Sequence, residues 1–359
     1  MKKKDSMNKL NILAPINSLG YGVAAKNTSR FLTKFFDVSL FSLGNPNFES
    51  EEEYNLFSHI LNSAPRQFDS NAPCLKIFHE FRMAERIGKG DLIAYSFFEL
   101  NKMNDIKKHH LSQCDKVIVT SEWAKSIVES ELPNSRTYVA PLGVDHTIFY
   151  PTNEPQDKFI IFNCGKWEIR KGHDIILEVF QKAFPDNQDV ELWMMTQNPV
   201  ASPEYNKKWN DYYRQDFRVN LLDRVQTHRQ LAQVMNQTSC GFFPSRAEGW
   251  NLELLEMMAC GKPVVTTNYA SHTQFCTSEN SISFKPTKLE EAFDGTYFKG
   301  GDGEWASLDN LKDNFIEALR SLYEVWKTNK TILNQHGVIS AQKLNWMNTA
   351  KHVAGAIND

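Results

Sequence analysis

The six cysteines, Cys74, Cys114, Cys164, Cys240, Cys260 and Cys276, lie far apart, and no two form a C-x-x-C pair. The usual zinc and dithiol spacings are therefore missing, which fits a reducing, cytoplasmic setting. No stretch approaches ~18 uninterrupted apolar residues, so no integral membrane segment is expected. The basic start, MKKKDSMNKLNILAP, has only a short apolar run that leads into a Gly-containing turn. It lacks the apolar core of a signal peptide. Neither sign of charge dominates: 40 basic residues face 43 acidic ones, for a formal net charge of −3. No overall field draws the chain to nucleic acid or to an anionic membrane, which leaves only a local basic patch for such a role. No period of about 20 to 50 residues marks a solenoid. No Asp-x-Asp pair stands in a plausible site, so no divalent metal is expected.

What is present is an ordinary globular composition, 41% hydrophobic and 23% charged, over 359 residues. That length suits about two domains, each with its own core. Short apolar runs alternate with longer segments of helical period, the pattern of a parallel sheet covered by helices. Strands are expected at Leu10–Ala14, Val38–Phe41, Leu75–Phe78, Leu92–Ser96, Lys116–Thr120 and within Asn134–Ala140. A second cycle follows at Lys158–Gly165, Val190–Thr196, Phe217–Leu222, Ser239–Ser245 and Pro263–Asn268. Between them, LGVDHTIFYPTNEPQDK carries Gly143, Pro151 and Pro155 without period, as a linker does. The reading is two Rossmann-like α/β domains, residues 1–150 and 151–340, followed by a C-terminal helix over 341–359.

Chemistry concentrates in SRAEGWNLELLEMMACGKPVV, Ser245–Val265, where Glu248 and Glu256 are separated by seven residues. Glu248 falls on a strand-to-helix loop, where open α/β sheets place ligands. The helix is expected over Leu252–Cys260, with Asn251 as its cap and Gly261 just past its end. Its free N–H groups would attract an anion such as phosphate. Leu252, Leu254, Leu255, Met257, Met258 and Ala259 leave little polar face, so Glu256 requires a specific partner.

This stretch resembles the signature of the retaining nucleotide-sugar glycosyltransferases of family 4, in which Glu, seven residues and Glu precede a Met-Ala-x-Gly-x-Pro-Val run, here MACGKPVV. PLGVDHTIFYP is similar to the family's interdomain segment, FNCGKWEIRKGHDIILEVF to its Gly-Arg-to-Lys-Gly loop and helix, and TSEWAKSIV to the end of its N-terminal domain. NWMNTAKHVAGAI is similar to its returning C-terminal helix. The resemblance implies the GT-B fold, two Rossmann-like domains facing across a cleft, with the last helix returning to the N-terminal domain. It also implies transfer of a hexose from a UDP- or GDP-sugar to an acceptor hydroxyl of a glycan or lipid-linked glycan, with no cofactor beyond the donor. A lipid-linked acceptor would place the protein peripherally at a membrane.

In that reading Lys166 and Lys171 occupy the family's two basic positions and meet the donor diphosphate, and Arg170 could substitute for one of them. Glu256 binds ribose, Glu248 the donor sugar, and Gly249, Trp250, Asn251 and Leu252 complete the donor loop. Here the usual second glycine of Glu-Gly-Phe-Gly is Asn251, a residue that tolerates unusual φ and caps helices. Gly20 and Gly22, between the first strand and first helix, face donor phosphate and acceptor in the family. His79, ending a strand, corresponds to a histidine touching the donor sugar, and Phe98 and Glu99 to an acceptor-side element. His109 and His110 are read as solvated. The alternatives are transfer to a modified DNA base, a sugar-nucleotide epimerase of the same fold, and a catalytically silent nucleotide-sugar-binding module.

Overall fold

The computed structural model describes residues 7–152 and 154–359. The basic start, residues 1–6, and Asn153 of the expected linker lie outside the described residues. The chain divides into two compact units: residues up to Gly143 with Leu344–Asp359, and Val144–Lys343.

The first unit is built on β1 (Lys9–Ala14), β2 (Asp37–Ser42), β3 (Cys74–Ile77), β4 (Leu92–Tyr95), β5 (Lys116–Val119) and β6 (Thr137–Val139), with α1 (Gly20–Leu32), α2 (Glu51–Gln67), α3 (Asp105–Ser112) and α4 (Glu122–Glu131) between them. The sheet runs β2-β1-β3-β4-β5-β6, every pair parallel. Helices cover both faces of such a sheet, so its strands need not alternate. All four residues of β3, β4 and β5 are buried. Side chains at the helix starts satisfy the free N–H groups: Ser50 accepts from Glu53 N, Asn104 from Lys107 N and Ser121 from Ala124 N.

The second unit repeats the plan with β7 (Phe159–Cys164), β8 (Val190–Met195), β9 (Val219–Leu221), β10 (Cys240–Phe243), β11 (Val264–Thr267) and β12 (Ile282–Phe284). Its helices are α5 (His173–Ala183), α6 (Pro203–Tyr213), α7 (His228–Asn236), α8 (Leu252–Ala259), α9 (Lys312–Asn329) and α10 (Gln335–Lys343). The order is β12-β11-β10-β7-β8-β9, again parallel. Phe159, Ile161, Ile176, Phe180, Leu192, Phe242, Phe315 and Trp326 centre its core.

Both sheets reverse direction of growth once, between β1 and β3 in the first and between β7 and β10 in the second. At such a switch point the loops leaving neighbouring strands part, opening a crevice at the strands' C-terminal ends.

Three elements depart from the expected pattern. β12 is an additional edge strand, too short and half-exposed to show a period. A two-stranded antiparallel hairpin, β13 (Leu289–Phe293) and β14 (Lys299–Ala306), follows it. Its strands are rich in Glu and Gly rather than β formers, and its turn is held by Asp294, whose Oδ1 accepts from the N–H groups of Thr296, Tyr297 and Phe298. Finally, the terminal run is two helices. α10 ends at Lys343, and α11 (Trp346–Asn358) starts afresh under Asn345, whose side chain accepts from Asn348 N. The break divides them between the units, with α11 in the first.

α11 is anchored at its far end by Lys116, itself only 4% exposed, whose Nζ donates to the carbonyls of Ala356 at 3.0 Å and Ile357 at 2.8 Å. These are last-turn acceptors that the helix cannot satisfy itself, and a cation suits that end of its dipole. Lys116→Met should lower the unfolding free energy by about 1 to 3 kcal/mol, as expected for loss of charged hydrogen bonds. Denaturant titration gives the magnitude, and amide exchange should locate the earliest opening in α11.

Candidate active site

The loops leaving β7 and β10 meet at the second switch point. After β7 the chain passes Gly165 and Lys166 into a tight 3-10 turn, Ile169–Lys171, which Gly172 ends at φ 78° before α5 begins. A Cβ at Gly172 would lie 2.2 Å from the carbonyl oxygen of Pro244, just beyond β10. Only glycine allows both the left-handed turn and that approach. Backbone bonding closes the junction, Arg246 N donating to Arg170 O at 2.7 Å.

On this frame five charged side chains form a row of alternating sign. Lys166 Nζ lies 3.1 Å from Glu168 Oε1, and Arg170 grips Glu168 Oε2 through Nε at 3.1 Å and Nη2 at 2.7 Å. Arg170 Nη1 donates to Glu248 Oε2 at 2.6 Å, and Lys171 Nζ to Glu248 Oε1 at 3.0 Å. Ser245 Oγ also donates to Glu248, at 3.0 Å. Four members are buried, while Lys166 is 36% exposed. Burial alone pushes the Glu248 carboxyl up, but Arg170, Lys171 and His272 outweigh it and hold it well below the usual carboxylate range. Burial works against the Lys171 ammonium as well, yet Glu248 and Glu253 raise it above its ordinary value. Both groups are ionised near neutrality.

The residues expected to complete a donor loop continue from this row. Gly249 follows Glu248, and Trp250 is buried, its ring 4.8 Å from that of Phe275. Asn251 takes the left-handed conformation, φ 81°, and its Oδ1 caps α8 by accepting from Leu254 N at 3.1 Å. Its amide Nδ2 meets His272 Nε2 at 3.0 Å. Nδ1 of that ring lies 2.9 Å from the carbonyl oxygen of Thr267, which can only accept. His272 therefore carries its proton on Nδ1 and accepts from Asn251 on Nε2. The asparagine that replaces glycine is held by a buried partner. Leu252 opens α8, and Glu256, one turn on, is 6% exposed in the same helix. Burial pushes up the thiol of Cys164, the last residue of β7, and the charges of Glu253 and then Glu256 on α8 add to it.

The sequence-expected residues thus fall into two groups. Lys166, Arg170, Lys171, Glu248, Gly249, Trp250, Asn251, Leu252 and Glu256 converge on the switch point of the second unit. Gly20, Gly22 and His79 lie at that of the first, after β1 and β3. A Cβ on Gly22 would clash with Asn17 Oδ1 at 2.3 Å, whereas Gly20 has open space. Between them Tyr21 packs on His79, ring centroids 4.4 Å apart, and stacks on Phe97 at 4.5 Å. Phe98 is buried beside Trp123. His110 departs from its reading as a solvated side chain: its Nδ1 accepts from Ala84 N at 3.1 Å, tying α3 to the turn after β3.

Several contributors went unmarked in the sequence. Glu168 bridges two cations. Arg246 ties the junction together, donating to Ile169 O and Asp174 Oδ1, each at 2.7 Å. His173 is wholly buried, accepting on Nδ1 from Glu168 N at 3.0 Å and contacting Asn163 Oδ1 through Nε2 at 3.0 Å. Asn163 Nδ2 in turn donates to Phe242 O on β10 at 2.7 Å. The only local sign was an imidazole placed immediately after the Lys-Gly pair.

Residues 158–295 match the family model described as glycosyl transferases group 1. This segment is similar to the group 1 glycosyltransferases. Among proteins with related sequences, the GPI3 subunit of phosphatidylinositol N-acetylglucosaminyltransferase from Saccharomyces cerevisiae is 24% identical over 288 residues, 76% of this chain and 62% of that protein. An uncharacterized glycosyltransferase of Methanocaldococcus jannaschii is 29% identical over 163 residues, 45% of this chain and 42% of that protein. The matches thus span 42% and 62% of these relatives' lengths. The fold extends the likeness to the first unit. Sucrose-phosphate synthase from Thermosynechococcus elongatus superposes with a TM-score of 0.67 at 14% identity, over 97% of this chain and 98% of that one. Anabaena HepE in complex with UDP-glucose gives 0.69 at 13% identity, over 98% and 99%. The chain has the GT-B fold of these glycosyltransferases. Among the described residues no helix is long and apolar enough to cross a membrane.

The buried groups of this site make stability depend on pH. Burial, with Lys171 adding to it, pushes His173 down to about 3, against about 6.5 in an unfolded chain. Between those values the unfolded chain binds a proton that the folded chain does not. The contribution of neutral His173 is therefore complete above about pH 6.5 and falls away as pH drops toward 3. The depressed carboxyl of Glu248 acts lower: its contribution is present above about 4.3, the unfolded value, and is lost below it. Urea midpoints should decline from about pH 6.5 downward, and His173→Gln should flatten the decline between about 6.5 and 4.5. At neutral pH Glu248→Gln should cost on the order of 3 kcal/mol, because it breaks a buried pair.

Proposed function

We propose that this protein is a retaining glycosyltransferase that moves a hexose from a UDP- or GDP-sugar to an acceptor hydroxyl of a glycan or lipid-linked glycan, without a metal ion. The observation that carries this reading is the row Lys166–Glu168–Arg170–Glu248–Lys171, set at a switch point beside the N-terminus of α8. Three cations against two carboxylates leave one positive charge, and the first-turn N–H groups of α8 add a partial positive charge. As the sugar–phosphate bond breaks, negative charge grows on the departing diphosphate. Fixed cations placed in advance stabilise that charge with little reorganisation. Lys171 donates one of its three N–H groups to Glu248 and keeps others for a ligand. Lys166 is the row's exposed end. Glu248, ionised and rigidly held, offers an acceptor to a sugar hydroxyl, and Glu256 the same to ribose.

The relatives are glycosyltransferases by name, and Anabaena HepE holds UDP-glucose within a matching fold. Both support a nucleotide-sugar donor.

Two glutamate variants test the division of roles. Glu256→Gln should weaken nucleoside diphosphate and intact donor alike, because both carry ribose. Glu248→Gln should weaken the intact donor more than UDP or GDP and lower sugar transfer more than tenfold, at least ~1.4 kcal/mol of transition-state stabilisation. Calorimetry with UDP, GDP, UDP-glucose and GDP-mannose, with donor hydrolysis as the rate assay, reads both. Equal loss of diphosphate binding in the two variants would remove the distinction. Hydrolysis should survive chelation; its full loss in chelator with recovery on added manganese would refute metal independence.

A further inference from the structure

The β13–β14 hairpin has no part in the roles assigned above, yet both its ends are tied to the switch-point site. At its base Glu290 Oε1 accepts from Arg246 Nε at 3.2 Å, and Ala306 N donates to Arg246 O at 3.0 Å. At its tip Tyr297 OH accepts from Asn198 Nδ2 at 3.0 Å. Asn198 is 1% exposed, and the same amide group reaches Trp167 O at 3.3 Å, inside the loop that carries Lys166. The Tyr297 ring is thus fixed with its centroid 5.8 Å from Lys166 Nζ, within the ~6 Å reach of a cation–π contact.

Lys166 differs from the other cations of the row. Arg170 and Lys171 are buried and held by Glu248, whereas Lys166 is 36% exposed and has one carboxylate partner among the described residues, Glu168. A lysine stem has four rotatable bonds, and a single partner leaves the ammonium free to swing. A second carboxylate would restrain it but would also compete with an incoming phosphate. An aromatic face restrains a cation without neutralising it.

We propose that Tyr297 is a positioning residue, which from the hairpin tip holds the Lys166 ammonium where a donor diphosphate meets it. The proposal rests on the reading that Lys166 serves the diphosphate. Tyr297 is 41% exposed, so its replacement leaves the core intact.

The test is a double-mutant cycle in the full-length chain with Tyr297→Ala, Tyr297→Phe, Lys166→Ala and the Lys166→Ala/Tyr297→Ala pair. UDP and GDP binding is measured by calorimetry, and turnover by hydrolysis of UDP-glucose and GDP-mannose. Tyr297→Ala should weaken diphosphate binding and lower kcat/KM about three- to tenfold, with an unchanged thermal midpoint. Tyr297→Phe, which keeps the ring but loses the bond from Asn198, should fall between the parent and Tyr297→Ala. In the Lys166→Ala background Tyr297→Ala should have no further effect, because the two act as a unit. Additive effects, or a Phe variant as impaired as the Ala variant, would overturn the proposal, as would a silent Tyr297→Ala beside an impaired Lys166→Ala. If Lys166→Ala leaves binding and turnover intact in a chain that binds UDP or GDP, the assignment of Lys166 fails and Tyr297 with it. Absence of any nucleotide binding in the parent chain refutes the donor reading itself.

Discussion

The interaction on which the second unit depends is the pairing of Glu248 with Arg170 and Lys171. Those residues arrive on loops from β7 and β10, strands adjacent in the sheet and more than 70 residues apart in the chain. A buried carboxylate without partners would take up a proton, and two buried cations without one would be costly to hold. Joined, they stay ionised near neutrality and fasten the two loops to each other. Glu168 extends the same logic outward, so that charge of alternating sign runs from the interior to the exposed Lys166. A site of this kind is rigid before any ligand arrives, which is the condition for electrostatic stabilisation of a developing charge.

The row exists because the loops can approach closely, and that approach is set by backbone rather than charge. Gly172 permits the turn to abut Pro244, Arg246 stitches the turn to α5 and to the hairpin, and the His173–Asn163 pair reaches from the turn to β10. Asn251 is the counterpart on the other loop. A residue with a side chain at positive φ is strained unless the surroundings hold it. Here its side chain gains two contacts that glycine could not make, one to the N-terminus of α8 and one to His272. The substitution therefore exchanges backbone freedom for a fixed loop, with the helix N-terminus kept in place.

The legible part of the fold was the part with a local period. Buried parallel strands announced themselves as apolar runs, and the helices by their spacing, so eleven of the twelve parallel strands among the described residues could be located. β12 escaped because three half-exposed residues have no period, and the hairpin because Asp294 and its turn stabilise strands whose composition is glycine and glutamate. The break between α10 and α11 was hidden for a related reason. Apolar residues keep helical spacing across it, and only the capping geometry of Asn345 separates the two helices.

By itself the sequence determined the double alternation of strand and helix, the loops that follow β7 and β10, the cap at Asn251, and the acids and bases those loops carry. These are properties of neighbouring residues, set by periodicity, capping and backbone preference over a few turns of chain. The tertiary structure alone decided the partners: Glu248 with Arg170 and Lys171, Glu168 between two cations, His272 under Asn251, and Tyr297 over Lys166. Those pairings join residues brought together by strand order and by the turn of a hairpin. Most of them link distant segments, and even the short-range ones depend on which loop is packed against them. A charged or aromatic residue reads the same in a sequence whether it faces water or a buried partner, and only the packed neighbour distinguishes the two.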